Sequence, residues 1–169
     1  IGYRLVGSEM CIRDSLNTVS SAKPKIADYP FTTLRPHLGT IKYSDNSFVI
    51  ADIPGIIEGA SDGHGLGIKF LKHISRTGIL LFFLEAFSEI SVQDQFLKLK
   101  KELGDFSEKL LEKEFYIVVT KIDLIDEETR FETLNTFNSK EFANVFGISS
   151  VTGEGVQELL DDISRTIFI

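Results

Sequence analysis

Asp52 closes an apolar run that begins at Phe48, and Pro54-Gly55 follow it almost at once. A carboxylate at the carboxyl end of a buried strand stands where open α/β sheets gather their ligands. Five glycines then fall within thirteen residues: Gly55, Gly59, Gly63, Gly65 and Gly67. Such a loop is permissive in φ and costs conformational entropy to order. A fixed acid followed by a glycine loop suits a sensor of metal-bound phosphate. The loop is ordered by a terminal phosphate and released when that phosphate leaves. A glycine-rich lid on an unrelated α/β protein has the same local pattern, and Asp-x-x-Gly alone does not separate the two.

Alternating elements must hold that acid in place. Residues 38–43 and 48–53 are predicted as two strands of an antiparallel hairpin, joined by the turn Ser44-Asp45-Asn46-Ser47. Ile79-Leu-Leu-Phe-Phe-Leu84 and Phe115-Tyr-Ile-Val-Val119 are continuous apolar runs, as parallel strands buried on both faces require. Residues 144–148 are a last strand. Between them, Val92, Phe96, Leu99, Leu103, Phe106 and Leu110 recur at helical spacing, with Gly104 weakening the middle. Those aromatics belong to a core rather than to a cofactor box. A polar helix is expected over 127–140 and a closing amphipathic helix through Val156, Leu159, Leu160, Ile163 and Ile167. Residues 16–22 form a helical remnant, and 25–34 a polar loop broken by Pro30. Another helix is expected from Leu66, with Phe70 and Ile74 inward and Lys69, Lys72, His73 and Arg76 on a basic face. That face is a solvated surface or, as the sharper reading, an RNA contact. The alternation predicts a three-layer α/β fold, its sheet parallel except for one hairpin strand.

Composition narrows the class. The chain has 169 residues, 43% hydrophobic and 25% charged, enough for one domain with a core. A net charge of −7 argues against a broad grip on nucleic acid. The single cysteine, Cys11, cannot form an internal disulfide, which favours a reducing compartment. No apolar run has the length of a membrane span. The expectation is a cytoplasmic protein with no membrane and no DNA partner.

The longer motifs are more specific. Asp52-Ile-Pro-Gly-Ile-Ile-Glu-Gly-Ala-Ser-Asp-Gly-His-Gly-Leu-Gly67 resembles switch II of the Obg family of GTPases, and Asp28-Tyr-Pro-Phe-Thr-Thr-Leu34 resembles its switch I. The resemblance covers residues 16–169 and implies a P-loop NTPase-like fold that binds GTP or GDP with Mg2+. It places Thr33 and Asp52 on the metal and the Gly55 N–H near the γ-phosphate. Thr120-Lys121-Ile122-Asp123 resembles the guanine-specificity motif, with Thr120 in place of the usual asparagine and some loss of bracing expected from the shorter side chain. Asp123 would accept from guanine N1–H and the 2-amino group, while Lys121 would lay its stem over the base. Ser149-Ser150 resembles the last guanine loop, in which backbone N–H groups near Ser150 meet the base oxygen. Ile56 stands where related enzymes carry a water-orienting glutamine, so hydrolysis is expected to be slow or to use another group, and no catalytic residue is assigned. Glu85 receives no role. The family's part in large ribosomal subunit assembly comes as an implication. Family members also carry a glycine-rich N-terminal domain, so the chain is expected to be a fragment.

Residues 1–15 stand outside the resemblance. A phosphate loop needs G-x-x-x-x-G-K-[ST], yet Gly7 is followed by Ser8-Glu-Met-Cys-Ile-Arg-Asp14, without lysine or a second glycine. Glu9 and Asp14 would repel a phosphate. The run resembles translated sequencing-adapter read-through, and the expectation is an authentic loop overwritten, with Tyr3 to Val6 still able to supply a strand on which the other strands do not depend. Two other classes stay open: a nucleotide-free interaction module, and an unrelated α/β enzyme using Asp52, Asp62, His64 and His73 as ligands. If a phosphate loop is missing, replacing residues 8–15 by a Gly-Lys-Ser loop should tighten binding of a fluorescent GTP analogue by roughly three decades, two charge-assisted bonds at about 2 kcal/mol each. Equal affinity before and after the exchange would mean that another group cradles the phosphates.

Overall fold

The computed structural model describes residues 2–6, 25–26, 37–43, 46–52, 78–137, 142 and 144–168, with backbone alone at 2–6, 25–26, 37–39, 43, 46, 51–52 and 106. The segment 8–14, the remnant 16–22, Thr33, Gly55, Ile56, the glycine loop, the helix expected from Leu66, and Asp62, His64 and His73 all lie outside the described residues.

Strands β1 (Gly2–Val6), β2 (Lys25–Ile26), β3 (His37–Tyr43), β4 (Asn46–Asp52), β5 (Ile79–Glu85), β6 (Glu114–Thr120) and β7 (Val145–Gly147) form one sheet in the order β2-β3-β4-β1-β5-β6-β7. β3 runs antiparallel to both β2 and β4, and every other described pairing is parallel. The expected architecture, an α/β sheet with one antiparallel hairpin strand, is the one found. The hairpin closes on the Tyr43–Asn46 pair. Lys25 and Ile26, expected in a loop, add a two-residue strand against Leu38 and His37. So short a pairing leaves no periodicity to detect in sequence.

One expectation is corrected. β4 pairs with β3 and β1, and β5 with β1 and β6. The other strands therefore do depend on residues 2–6, because β1 joins the two halves of the sheet. The reason is a parallel sheet's crossover topology, which puts the first strand between later ones.

Burial explains the apolar runs. Ile79, Leu81 and Phe83 face one side with Tyr116, Val118 and the helix α4 (Val156–Phe168). Leu80, Phe82 and Leu84 face the other, with Ile117, Val119 and the helix α1 (Val92–Phe106). Each such large side chain is worth about 1.5–3 kcal/mol when buried, so both faces of β5 and β6 require a helical cover. Phe96 meets Phe82, Phe137 and Phe142 edge-on, with centroids 5.2, 5.7 and 5.5 Å away, as aromatic rings prefer. The aromatics of α1 are core, as expected.

The helix through Leu110 is interrupted. Ser107 is extended at φ −167°, and a separate turn, α2 (Glu108–Leu111), follows. Gly104 serves this bend: a Cβ there would lie 3.0 Å from Leu111 Cδ1. The polar helix α3 (Glu127–Asn135) is shorter than expected. Phe137, 2% exposed, turns inward to the aromatic cluster.

Tyr116 ties α4 to the sheet. Its ring is fully buried; its hydroxyl donates to Asp162 Oδ2 at 3.0 Å and shares a 2.8 Å hydrogen bond with Thr166 Oγ1. Burial, reinforced by the Asp162 carboxylate, pushes the phenol up to about 12 against the Thr166 contact. The folded state thus holds this proton more tightly than the unfolded chain, whose tyrosine titrates near 10. The protein should lose stability between pH 10 and about 12, and Tyr116→Phe should flatten that part of the profile. Urea unfolding of both proteins across this range checks the point; parallel profiles would refute it.

Candidate functional site

The parallel strands carry their carboxyl ends to one edge of the sheet. Asp52 ends β4 beside Leu5 of β1, Glu85 ends β5 opposite Thr120, and Gly147 ends β7 opposite Val119. β1, flanked by strands that follow it in sequence on both sides, marks a topological switch point, where such sheets bind ligands. Asp52 and Thr120 are three strand intervals apart, roughly 14 Å at about 4.8 Å per interval.

The chain leaves β6 through an unusual residue. Lys121 has φ 60° and ψ 34°, the left-handed region, and among the described residues no other non-glycine has positive φ. That conformation costs about 1–2 kcal/mol and starts a short 3-10 turn, Ile122–Leu124. Three contacts hold it. The Lys121 ammonium pairs with the Glu85 carboxylate. Thr120, 2% exposed, donates its hydroxyl to Leu84 O at 3.2 Å, and its carbonyl accepts from Ala86 N at 3.0 Å. The shorter Thr120 side chain therefore does brace this loop, against the end of β5. Glu85 is itself clamped: Gln95 accepts from its N–H and donates to its carbonyl, both at 2.9 Å. Gln95 sits in the first turn of α1, which Ser91 caps by accepting from Asp94 N.

Asp123 is exposed at the centre of the turn, and Ile122 beneath it is 3% exposed. Asp126 then caps α3. The Thr129 N–H and hydroxyl bind its carboxylate, both at 2.9 Å, and hold it below the usual carboxylate range.

The loop after β7 folds back on itself. Ser149, fully buried, donates its N–H to Glu154 O at 3.0 Å, accepts from Gly153 N at 2.9 Å on its carbonyl, and accepts from Thr152 N at 3.1 Å on its hydroxyl. All three polar groups of Ser149 are thus used inside the loop, and the half-buried Ser150 follows it. Two main-chain bonds join this loop to the preceding strand and turn: Ile148 N to Val119 O at 2.8 Å and Ile122 N to Ile148 O at 3.4 Å. Arg130 of α3 adds a third link, to Glu154 and Ile122 O.

Lys121, Asp123, Ser149 and Ser150 are therefore brought to neighbouring loops. Asp52 lies on the same edge, farther along the sheet, while Thr33 and Gly55 lie outside the described residues. Sequence reasoning missed Glu85, Gln95, Arg130 and Glu154. Their contacts described above span 8, 10, 24 or 36 residues, and no local pattern signals them.

A profile of the family described as 50S ribosome-binding GTPase matches residues 15–121. The chain belongs to that family. Among curated proteins it is 50% identical over 153 residues to GTPase Obg of Chloroherpeton thalassium, covering 90% of this chain and 44% of that protein. It is 50% identical over 147 residues to GTPase Obg of Parabacteroides distasonis, covering 86% and 37%. The resemblance to Obg GTPases stated from the switch motifs is borne out. The chain spans less than half the length of these relatives. Among solved structures, an Era variant of Aquifex aeolicus bound to GDP and aluminium fluoride superposes with a TM-score of 0.70 at 22% identity, over 97% of this chain and 56% of that one. The G domain of the FeoB iron transporter of T. maritima gives 0.66 at 21% identity, over 98% and 97%. These establish the P-loop GTPase fold for this family member.

Two glycines in the last loop separate conformation from space. Gly153 has φ +79° with nothing within 4 Å of an added Cβ, whereas Gly155 has φ +70° and an added Cβ would lie 2.0 Å from Gly147 O. Gly153→Ala should cost roughly 1 kcal/mol, the backbone term alone. Gly155→Ala should cost about 3 kcal/mol or more, because strand-end backbone must move. Denaturant midpoints decide; equal losses would mean that the loop relaxes freely around Gly155.

Proposed function

We propose that this chain is a guanine-nucleotide-binding GTPase domain that hydrolyses GTP with Mg2+ and switches its loops with the nucleotide. The supporting observation is the joining of the Lys121–Asp123 turn to the Ser149–Gly155 loop by main-chain bonds, at the carboxyl edge that also carries Asp52. Asp123 would accept from guanine N1–H and the 2-amino group, Lys121 would lie along the base, and main-chain N–H at Ser150 would meet the base oxygen. Adenine lacks the donor pair, so it would leave the Asp123 charge unmatched.

Metal binding belongs to the same proposal. A threonine hydroxyl and a strand-end carboxylate, Thr33 and Asp52, are hard oxygen donors of the kind Mg2+ prefers. Held by Thr33 and Asp52, Mg2+ would neutralise part of the phosphate charge. Gly55 N–H would contact the γ-phosphate. The roughly 14 Å between Asp52 and Thr120 suits a ligand with phosphates at one end and a base at the other.

Residues 16–169 would form this domain, with 1–15 foreign beyond the strand they supply. A role in large ribosomal subunit assembly, in the cytoplasm, belongs to the same proposal; the family description, 50S ribosome-binding GTPase, supports its ribosomal part. Among the described residues no helix is long and apolar enough to cross a membrane. A nucleotide-free interaction module is the second reading, favoured by Ser8–Asp14 standing where the phosphate loop belongs.

Calorimetry on the chain with residues 8–15 replaced by a Gly-Lys-Ser loop tests the base assignment. GTP should bind at least about a hundredfold tighter than ATP. Asp123→Asn should lose that preference and gain affinity for xanthosine nucleotides, whose base keeps N1–H but carries a carbonyl oxygen in place of the 2-amino group, matching the amide's acceptor and donor. Equal GTP and ATP affinities, or an unchanged preference in Asp123→Asn, would remove the assignment.

A further inference from the structure

Arg130 links the two base loops through side-chain hydrogen bonds. Its Nη1 donates to Glu154 Oε1 at 2.6 Å, and its Nη2 donates to Glu154 Oε2 at 3.3 Å and to Ile122 O at 3.2 Å. One guanidinium therefore grips the carboxylate of the last loop and the main chain between Lys121 and Asp123. The grip passes on at both ends. The Glu154 carbonyl takes the N–H of Ser149, next to Ser150, and the Ile122 N–H reaches Ile148 O at 3.4 Å. That last bond is long. Without Arg130 it would be the main direct tie between the turn and the loop among the described contacts.

We propose that Arg130, with Glu154, is a positioning pair for base recognition, fixing Asp123 relative to the Ser150 main chain and so setting guanine specificity more than nucleotide affinity. The proposal rests on the guanine reading of the two loops. Stability alone explains the pair poorly. The Arg130 side chain keeps 26% of its surface exposed and Glu154 49%, and pairs that open contribute only about 0–1 kcal/mol. Geometry explains it better, because a planar fork with several fixed donors can span two acceptors that a lysine ammonium cannot. Guanine recognition needs that geometry. An acceptor pair on one loop and a donor on the next must match one rigid base, so a shift of one loop against the other weakens the hydrogen bonds of both.

The test compares the whole chain with Arg130→Ala, Arg130→Lys and Glu154→Gln. Binding of millimolar GMP and AMP is followed by amide NMR shifts at Lys121–Leu124 and Ser149–Gly155. GDP and ADP affinities are measured in parallel on the same proteins with residues 8–15 replaced by a Gly-Lys-Ser loop. Arg130→Ala should lower the GDP-to-ADP affinity ratio by about tenfold to a hundredfold, as weakening one charge-assisted hydrogen bond to the base would, while ADP affinity stays unchanged. Arg130→Lys and Glu154→Gln, each keeping part of the contact, should fall between. If Arg130→Ala fails to fold by circular dichroism, those two milder variants carry the test. An unchanged ratio, or equal losses for GDP and ADP, overturns the proposal. A parent protein without any preference for guanine overturns the underlying guanine reading instead, and this proposal with it.

Discussion

The sheet is held together at β1. β4 and β5 each hydrogen-bond to β1, at Gly2–Leu5 and Arg4–Val6 respectively, and β1 is the described strand through which the hairpin half joins the half carrying β6 and β7. Parallel strands cannot be linked by tight turns, so neighbours in space are distant in sequence. The edge that gathers Asp52, Glu85, Thr120 and Gly147 exists because β1 sets the register of both halves. Five residues that precede the stretch matched by the family profile thus occupy the place on which the geometry of the whole edge depends.

Above that edge, the base loops are organised by a graded set of contacts. The buried strand ends come first: Thr120 to Leu84 and Ile148 to Val119 are hydrogen bonds in a dry environment, where leaving a partner unmatched costs about 1–3 kcal/mol. They fix the positions of the loops. The ion pairs, Lys121 with Glu85 and Arg130 with Glu154, lie further out and contribute less to stability. Their effect is on conformation. Lys121 is held left-handed at a cost of about 1–2 kcal/mol, and strain of this kind collects where a side chain must be aimed. Gln95 makes the same point from a distance: by clamping the main chain of Glu85, α1 helps orient Lys121 without touching it.

The two faces of the sheet divide the structural work. The face under α1 is sealed by an aromatic cluster that includes Phe82, Phe96, Phe115, Phe137 and Phe142. The face under α4 mixes aliphatic side chains with Phe48, Phe83 and Tyr116, and the tyrosine hydroxyl finds Asp162 and Thr166 at the helix surface. A buried phenol needs such partners, and here they fix the position of α4 along β6. α4 follows directly on Gly155, so its position also bounds the last loop.

Much of this was open to inspection in the residues alone. Apolar runs at 79–84 and 115–119 announced strands buried on both faces, because only such strands lack alternation. The 3.6-residue spacing of Val92, Phe96, Leu99 and Leu103 announced α1. The switch-like motifs and Lys121-x-Asp123 named the family and the expected site. Those signals are local, carried by neighbours along the chain. What tertiary structure alone decided is non-local. It made β1 the joining strand, broke the helix at Ser107 so that Leu111 could pack on Gly104, and added β2 to the edge of the sheet. It also brought Glu85 to Lys121 and Arg130 to Glu154 across 36 and 24 residues. A contact between residues that far apart depends on how the chain folds back, which no window of sequence records.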